Sequence, residues 1–386
     1  MDQAEQNPHV KILACGAVIG TAAVFGLTYS LTAALIALDL AEIGVSEGLI
    51  GANAAMHAVG VLIMAFVLPR ITAALGMRRA MLVALASAAV FMPLFPAIMP
   101  SLFWLFPLRV LLGCASEVLF VLSETWLNAL SDEKTRARMM AVYTAAMSLG
   151  FALGPLILMV AGTEGYTPYL VGSALALLAA VFVLYRGLTE PEIEKPEHSN
   201  PLVYMRLAPL ALAATMLNAA IESSGLTFLH LYALSLGWQE VQATQLMPCV
   251  MIGAILLQLP LGWLGDKVDR QKLVLVLAAI AAVSCLFWPW AMEHETTTFA
   301  LLFVWGGVFV GIYTIMLAIV GSRFKGSELI GIYASMGLFW GAGALIGPLL
   351  AGIAMEVAKH GFIAFVFAAC AGFFAMAMYL RGKNLT

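Results

Sequence analysis

Four ionisable residues lie inside otherwise apolar stretches of the sequence: Arg109, Glu117, Glu124 and Glu222. A charged side chain at the centre of a bilayer costs roughly 2.5–3.5 kcal/mol on insertion scales, so such residues are rare and usually functional. A carboxyl group that is removed from water and lies beside another acid is protonated more easily than in water. The sequence therefore predicts a site for protons and for a cationic or amphiphilic substrate, in which Glu117 and Glu222 take the main part.

Three of these residues share one predicted helix with Gly113. Arg109, Gly113, Glu117 and Glu124 are spaced four, four and seven residues apart. At about 100° per residue, Glu117 and Glu124 fall within about 20° of each other, so we expect a polar stripe along this helix. Arg109 would modulate Glu117 or position an anionic part of the substrate. The alternative is a buried ion pair that joins this helix to another one.

Further polar residues are expected at the same site. Asn218 and Glu222 are four residues apart and hence share a helix face, as do Asn53 and His57. Tyr29 precedes Glu222 by 193 residues in the chain. Asn53 and His57 are expected to support the same cavity. The alternative for His57 is a hydrogen bond between helices, which is the commoner role of a lone histidine inside a membrane.

The whole composition indicates a membrane protein. The chain has 386 residues, of which 62% are hydrophobic and 11% are charged, and its mean hydropathy is +0.97. Apolar runs of about 20 residues are typical of transmembrane helices. The sequence predicts an all-α polytopic protein with twelve spans, at 12–38, 48–69, 79–98, 102–130, 139–161, 168–186, 207–234, 241–262, 273–292, 299–321, 329–355 and 362–380.

The basic residues give these spans an orientation. With a cytoplasmic N-terminus, every Lys and Arg except Lys359 and Arg109 lies at or beyond the cytoplasmic ends of the spans. Such a bias is the positive-inside rule, so both termini are expected in the cytoplasm and the location in the cytoplasmic (inner) membrane. A six-helix bundle over 1–186, a cytoplasmic linker over 187–205 and a second bundle over 206–386 are expected.

The two halves are related by a repeat. At an offset of 193 residues, "IGVSE" (43–47) aligns with "LGWQE" (236–240), and "GPLIL" (154–158) with "GPLLA" (347–351). The loop "PRITAALGMRR" (69–79) aligns in the same way with "GWLGDKVDRQK" (262–272). Six helices per half give both halves the same orientation, so they are parallel repeats.

At these loops the chain resembles the major facilitator superfamily over its whole length. The family signature G-x-x-x-D-[RK]-x-G-[RK]-x-[RK] matches Gly262, Asp266, Lys267, Arg270 and Lys272, with Asp269 in place of the second glycine. The first-half copy keeps Gly76, Arg78 and Arg79. "RVLLG" (109–113) is similar to the family motif of helix 4, and "GFALGP" (150–155) to the antiporter motif of helix 5. "GLTYSLTAALIAL", "GANAAMHAVG" and "SETWLNAL" are similar to its YcaD-like branch.

The resemblance implies a transporter that works by rocking its two halves. Helices 1, 4, 7 and 10 would line a central cavity, so that Tyr29, Glu117, Asn218 and Glu222 face one another. Asp266 would form a gating contact with Arg270 or Arg323, against the alternative that the basic loop residues only set topology. The expected hinge residues are Gly113, Gly150, Gly154, Pro155, Gly347 and Pro348.

These features together predict proton-coupled efflux of a small organic molecule by a monomer. No HExxH or GxSxG motif and no phosphate-binding glycine loop is present, so no enzyme activity, nucleic-acid binding, cofactor or metal is expected, and a proton gradient supplies the energy. One alternative is a copper importer that uses Met247 and Met251, because thioethers suit Cu(I). A nutrient importer and a sensor that has lost transport are also compatible with the sequence.

Overall fold

The computed structural model describes residues 8–130, 136–185, 207–324 and 326–382. Its helices are α1 (Pro8–Glu42), α2 (Glu47–Leu75), α3 (Met77–Ile98), α4 (Leu102–Leu130), α5 (Arg136–Ala161), α6 (Thr167–Val183), α7 (Pro209–Ser235), α8 (Glu240–Thr244), α9 (Leu246–Lys267), α10 (Arg270–Cys285), α11 (Trp288–Ala291), α12 (Glu295–Arg323), α13 (Gly326–Val357) and α14 (Gly361–Gly382). Across these described ranges there is no strand, which confirms the predicted all-α fold.

Each predicted span coincides with one long helix, but two spans are divided. The eighth is split into α8 and α9 at Gln245, and the ninth into α10 and α11. Pro248 and Pro289 lie in the first turns of α9 and α11, where the N–H that proline lacks has no partner within the helix. The predicted linker at 187–205 lies outside the described residues.

Eight of the described helices are long and apolar enough to cross a membrane, by length and composition. They are α1–α4, the stretch Glu240–Gly265 that covers α8 and most of α9, and α12–α14. Two shorter apolar stretches, Ala145–Ala161 in α5 and Thr167–Val183 in α6, add to them. The protein is therefore multi-pass, while the count of twelve spans stays a prediction.

The described chain forms two compact units. The first unit contains α1 up to Asp39, α2 from Val59 onward, and α3–α6. Here α3 packs against both α4 and α6. The second unit contains Leu40–Ala58, which includes the first part of α2, and α7–α14. In that unit α7 packs along α13, and α9 packs along α12.

Glycines set the closest helix contacts in each unit, and they do so at equivalent positions. In the first unit, a Cβ atom on Gly150 of α5 would overlap the carbonyl oxygen of Ala23 on α1. In the second unit, a Cβ atom on Gly343 of α13 would overlap the carbonyl oxygen of Met216 on α7. Gly343 follows Gly150 by 193 residues, and Met216 follows Ala23 by the same number. The sequence repeat is therefore also a repeat of backbone contacts.

A second glycine contact obeys the same offset. Gly60 of α2 lies against the carbonyl oxygen of Val110 on α4, and Gly253 of α9 lies against the carbonyl oxygen of Phe303 on α12. Only glycine allows two helix backbones to approach this closely, because it has no Cβ atom. The position of α4, which carries most of the predicted site in the first unit, is thus fixed by Gly60.

Candidate functional site

The acidic part of the first unit lies on α4 beside α5. Glu117 and Glu124 are both half-buried and close enough to interact electrostatically. Tyr143 of α5 is fully buried and interacts with both carboxyl groups. Its hydroxyl lies 3.1 Å from Ser123 Oγ and donates to the Phe120 carbonyl oxygen at 3.2 Å. A phenol thus lies next to the two acids, and no motif of the sequence pointed to it.

Tyr29 belongs to a cluster of aromatic rings on α1, α4 and α5. It is 6% exposed, and its ring centroid lies 6.3 Å from Phe25 and 5.7 Å from Phe151. Phe25 in turn lies 5.3 Å from Phe120, which is on α4 between the two acids. The cluster gives the first unit an apolar surface of aromatic rings. Phe120 connects this surface to Glu117, which lies three residues earlier on α4.

Arg109 lies nearer the start of α4 and is only 2% exposed. Among the described residues, its Nε and Nη1 atoms have no hydrogen-bond acceptor. The titratable groups that interact with it electrostatically are Tyr29 and Tyr169. Glu117 is eight residues further along the helix, about 12 Å of helical rise away. A direct ion pair between Arg109 and Glu117 is therefore not formed.

Tyr169 was not among the residues that the sequence indicated. It lies at the start of α6 and is fully buried, and its hydroxyl donates a 2.5 Å hydrogen bond to Asp39 Oδ2 near the end of α1. Asp39 could have been noticed in the sequence as an acidic residue near the end of the first apolar run. Nothing in the sequence connects it to a tyrosine 130 residues later.

The second unit contains the other predicted polar residues. Asn218 Nδ2 donates to Glu222 Oε2 at 3.2 Å, one helical turn further along α7. Asn53 and His57 on α2 are 1% and 3% exposed. The neighbouring Ala58 packs with alanines of α7 and α13. Tyr29 and Glu117 belong to the first unit and Asn218 and Glu222 to the second, so their predicted meeting across a cavity stays a prediction.

The loop between α9 and α10 is built by local contacts. Asp269, which replaces the family glycine, caps α10 by accepting a 2.7 Å hydrogen bond from the Lys272 backbone N–H. The ammonium group of Lys267 lies 3.6 Å from the ring centroid of Trp263. Asp266 is in the last turn of α9, and its side chain lies outside the part that the structure describes. Its predicted gating contact therefore stays a prediction.

Two arginines of the signature loops bind backbone carbonyl groups. Arg270 Nε donates to Gly265 O at 3.1 Å, and its Nη1 donates to Ala318 O of α12 at 3.4 Å. Arg78 Nη2 donates to Leu184 O at 2.5 Å and to Tyr185 O at 2.9 Å, at the C-terminal end of α6. A cation at this end complements the helix dipole. Each loop thus joins a helix end to another helix of its own unit.

Three further loop residues were predicted to take part in gating: Arg79, Gly262 and Arg323. Arg79 is exposed. A Cβ atom on Gly262 would meet nothing within 4 Å. The guanidinium carbon of Arg323 lies 5.7 Å from the ring centroid of Phe324. The gating role of Arg79, Gly262 and Arg323 stays a prediction.

The predicted hinge residues lie at close helix contacts. A Cβ atom on Gly154 would overlap Ser30 on α1, and one on Gly347 would overlap Ala220 on α7. Gly113 lies beside Gly60 at the crossing of α2 and α4. Pro155 and Pro348 lie within α5 and α13. Close packing accounts for these glycines, while bending about them stays a prediction.

The described residues contain no group of three or more His, Cys, Asp or Glu side chains that could hold a metal ion. Met247 and Met251 are both buried on α9.

Comparisons with known proteins agree with this architecture. A family model described as Major Facilitator Superfamily matches residues 18–254 and 211–384. The chain is 25% identical to the uncharacterized MFS-type transporter YfkF of Bacillus subtilis (strain 168) over 284 residues, which cover 71% of this chain and 72% of the relative. It is 21% identical to the uncharacterized MFS-type transporter YcaD of Salmonella dublin over 280 residues, 72% of each chain.

Among solved structures, the nucleoside transporter NupG has a TM-score of 0.76 at 14% identity, covering 96% of this chain and 98% of the other. At this identity the likeness concerns the fold alone. The family resemblance drawn from the loop motifs is confirmed. The chain belongs to the Major Facilitator Superfamily and is a non-enzymatic membrane transporter of small molecules.

Proposed function

We propose that the protein is a proton-coupled exporter of a small organic molecule, acting as a monomer in the cytoplasmic membrane with both termini inside. Two six-helix bundles, over 1–186 and 206–386, would alternate access to a midplane site. The observation that carries the proposal is the pair of half-buried acidic sites, Glu117 with Glu124 on α4 and Glu222 with Asn218 on α7.

Proton coupling is supported by the surroundings of these carboxyl groups. Burying an ionised carboxylate without a cation is costly, so an apolar site favours its protonated form. The described contacts of Glu117 and Glu222 include no Lys or Arg: Glu117 interacts with Glu124, and Glu222 accepts a hydrogen bond from Asn218. Each carboxyl group can therefore gain a proton in one state of the cycle and lose it in another.

The substrate class is supported by the aromatic cluster around Tyr29. Aromatic faces attract organic cations and apolar rings, and the cluster includes Phe120 on α4, three residues from Glu117. A molecule with an apolar body and a positive group would be held by both. The export direction is supported by the helix 5 motif at Gly150–Pro155 through the family resemblance alone.

The first experiment is a ligand-dependent thermal-shift screen of purified protein at two pH values. The panel holds organic cations, zwitterions, organic acids, sugars and Cu(I). Wild type is compared with Glu117→Gln and with Glu164→Gln, a control in the exposed turn between α5 and α6. We expect one ligand class to stabilise wild type and the control in a pH-dependent way, but not Glu117→Gln.

The identified ligand is then used for transport in proteoliposomes under an imposed pH gradient. Glu117→Gln and Glu222→Gln should each abolish gradient-driven transport, because neither amide can carry a proton. If both variants transport normally with unchanged pH dependence, the proposal is wrong. Stabilisation by Cu(I) alone would replace it with the methionine site at Met247 and Met251.

A further inference from the structure

Arg109 is a buried cation that the described part of the protein does not neutralise. Its side chain is 2% exposed, and the described residues offer no acceptor to Nε or Nη1. Buried charges are normally paired and hydrogen-bonded, because the free energy lost when a charge leaves water is otherwise not compensated. An unpaired buried guanidinium group would destabilise the folded protein. A transported molecule that binds there reversibly would supply the missing partner.

The surrounding residues narrow the choice of partner. The titratable groups that interact with Arg109 are two phenols, Tyr29 and Tyr169, and not carboxylates. The carboxylate of Asp39 accepts the hydroxyl of Tyr169. Glu117 lies about 12 Å further along α4 and interacts with Glu124. The groups that interact electrostatically with Arg109 therefore include no described acid.

We propose that Arg109 binds an oxyanion group, a carboxylate or a phosphate, of the transported molecule. A guanidinium group presents planar, paired N–H donors that match the two oxygens of such a group. Tyr29, which interacts with Arg109, is also part of the aromatic cluster with Phe25, Phe120 and Phe151, so an apolar body attached to the oxyanion can extend from Arg109 along that cluster.

Together with the acids further along α4, this site favours a zwitterion with an apolar body over a simple cation. The inference rests on the proposed transport function but not on its proton coupling. The oxyanion site concerns Arg109, whereas proton coupling concerns Glu117 and Glu222. Binding without any gradient therefore tests the first, and gradient-driven transport tests the second.

Four probes of similar size allow the test on the purified full-length protein: phenylacetate, phenyl phosphate, phenethylammonium and phenethyl alcohol. Affinities are measured by thermal shift and by isothermal titration for wild type, Arg109→Gln, Arg109→Lys and Arg381→Gln. Arg381 is exposed in the last turn of α14 and serves as the control for loss of a positive charge. The carboxylate and phosphate arms distinguish the two kinds of oxyanion.

We expect at least one anionic probe to bind wild type and Arg381→Gln alike. It should bind Arg109→Gln on the order of tenfold to a hundredfold more weakly, as loss of a charged hydrogen bond predicts. Arg109→Lys keeps the charge but not the paired donors, so its affinity should lie between the two. Equal binding to wild type and Arg109→Gln, or binding of neither anionic probe, would overturn the proposal.

The ligand-free melting temperature supplies a second criterion. If Arg109 has no internal partner, Arg109→Met should melt at the same temperature as wild type or higher, because an uncompensated buried charge is removed. A clear fall in melting temperature would mean that the guanidinium is paired inside the protein, and would contradict an oxyanion site there. Arg381→Gln again gives the reference value.

Discussion

The ionisable residues on α4 form a buried basic end and a half-buried acidic section that do not contact each other. Arg109 interacts with the phenols of Tyr29 and Tyr169, and Glu117 interacts with Glu124. Helical periodicity predicts that these residues lie on neighbouring faces of the helix, but it does not predict which of them interact. Eight residues of helical rise, about 12 Å, is too long for a direct ion pair. The spacing therefore predicted a site and left its partners open.

A residue-scale prediction concerns the hydroxyl of Tyr169. Tyr169→Phe removes the 2.5 Å hydrogen bond to Asp39 and leaves the ring in place. A hydrogen bond to a charged group contributes about 1.5–3 kcal/mol, so the free energy of unfolding should fall by about that amount. Thermal or denaturant unfolding in detergent measures it. Tyr166→Phe, at an exposed position before α6, should change little, and equal stability of both variants would contradict the structural role of this bond.

At the scale of elements, glycines decide which helices lie in closest contact. On α13, Gly343 is pressed against Met216 O and Ala219 of α7, whereas a Cβ atom on Gly337 would meet nothing within 4 Å. Gly343→Ala should therefore destabilise the second unit by about 1–3 kcal/mol through overpacking. Gly337→Ala is the matched control in the same helix and should be neutral. Equal effects in an unfolding assay would show that backbone approach is not what Gly343 provides.

A second element-scale prediction concerns the start of α2, which packs within the second unit. Glu356, in the last turn of α13, accepts a 3.1 Å hydrogen bond from the Gly48 backbone N–H and a second one from the Ser46 side chain. Acids near a helix N-terminus satisfy its free N–H groups and complement its dipole. In Glu356→Ala, amide hydrogen exchange at Gly48 should become faster.

Mass spectrometry of exchange in the peptide that contains Gly48 measures this change. The matched control is Glu293→Ala, at an exposed acid just before α12. Unchanged exchange at Gly48 in Glu356→Ala would show that α2 is held by its packing and does not depend on this acid. A uniform increase throughout the protein would point to global destabilisation instead.

At the scale of the whole molecule, the sequence predicted the helices and the repeat but not the side-chain partners. Apolar runs locate helices because the bilayer requires them, and glycine contacts follow the 193-residue offset because both halves pack alike. The breaks that divide the eighth and ninth predicted spans were not predicted, because other prolines of this chain lie inside unbroken helices. Arg78 binding the end of α6 joins residues more than 100 positions apart, and no local pattern carries that information.

The orientation of the chain follows from charge placement alone, and it is the last prediction. If the basic loops face the cytoplasm, the exposed turn that holds Glu164 faces outward and the exposed side chain of Lys272 faces inward. In whole cells, a membrane-impermeant maleimide should label Glu164→Cys but not Lys272→Cys, and both should react once the membrane is opened. Wild type supplies the background, because its five cysteines are buried or half-buried. Labelling of Lys272→Cys in intact cells would contradict this orientation and place the basic loops and both termini outside the cell.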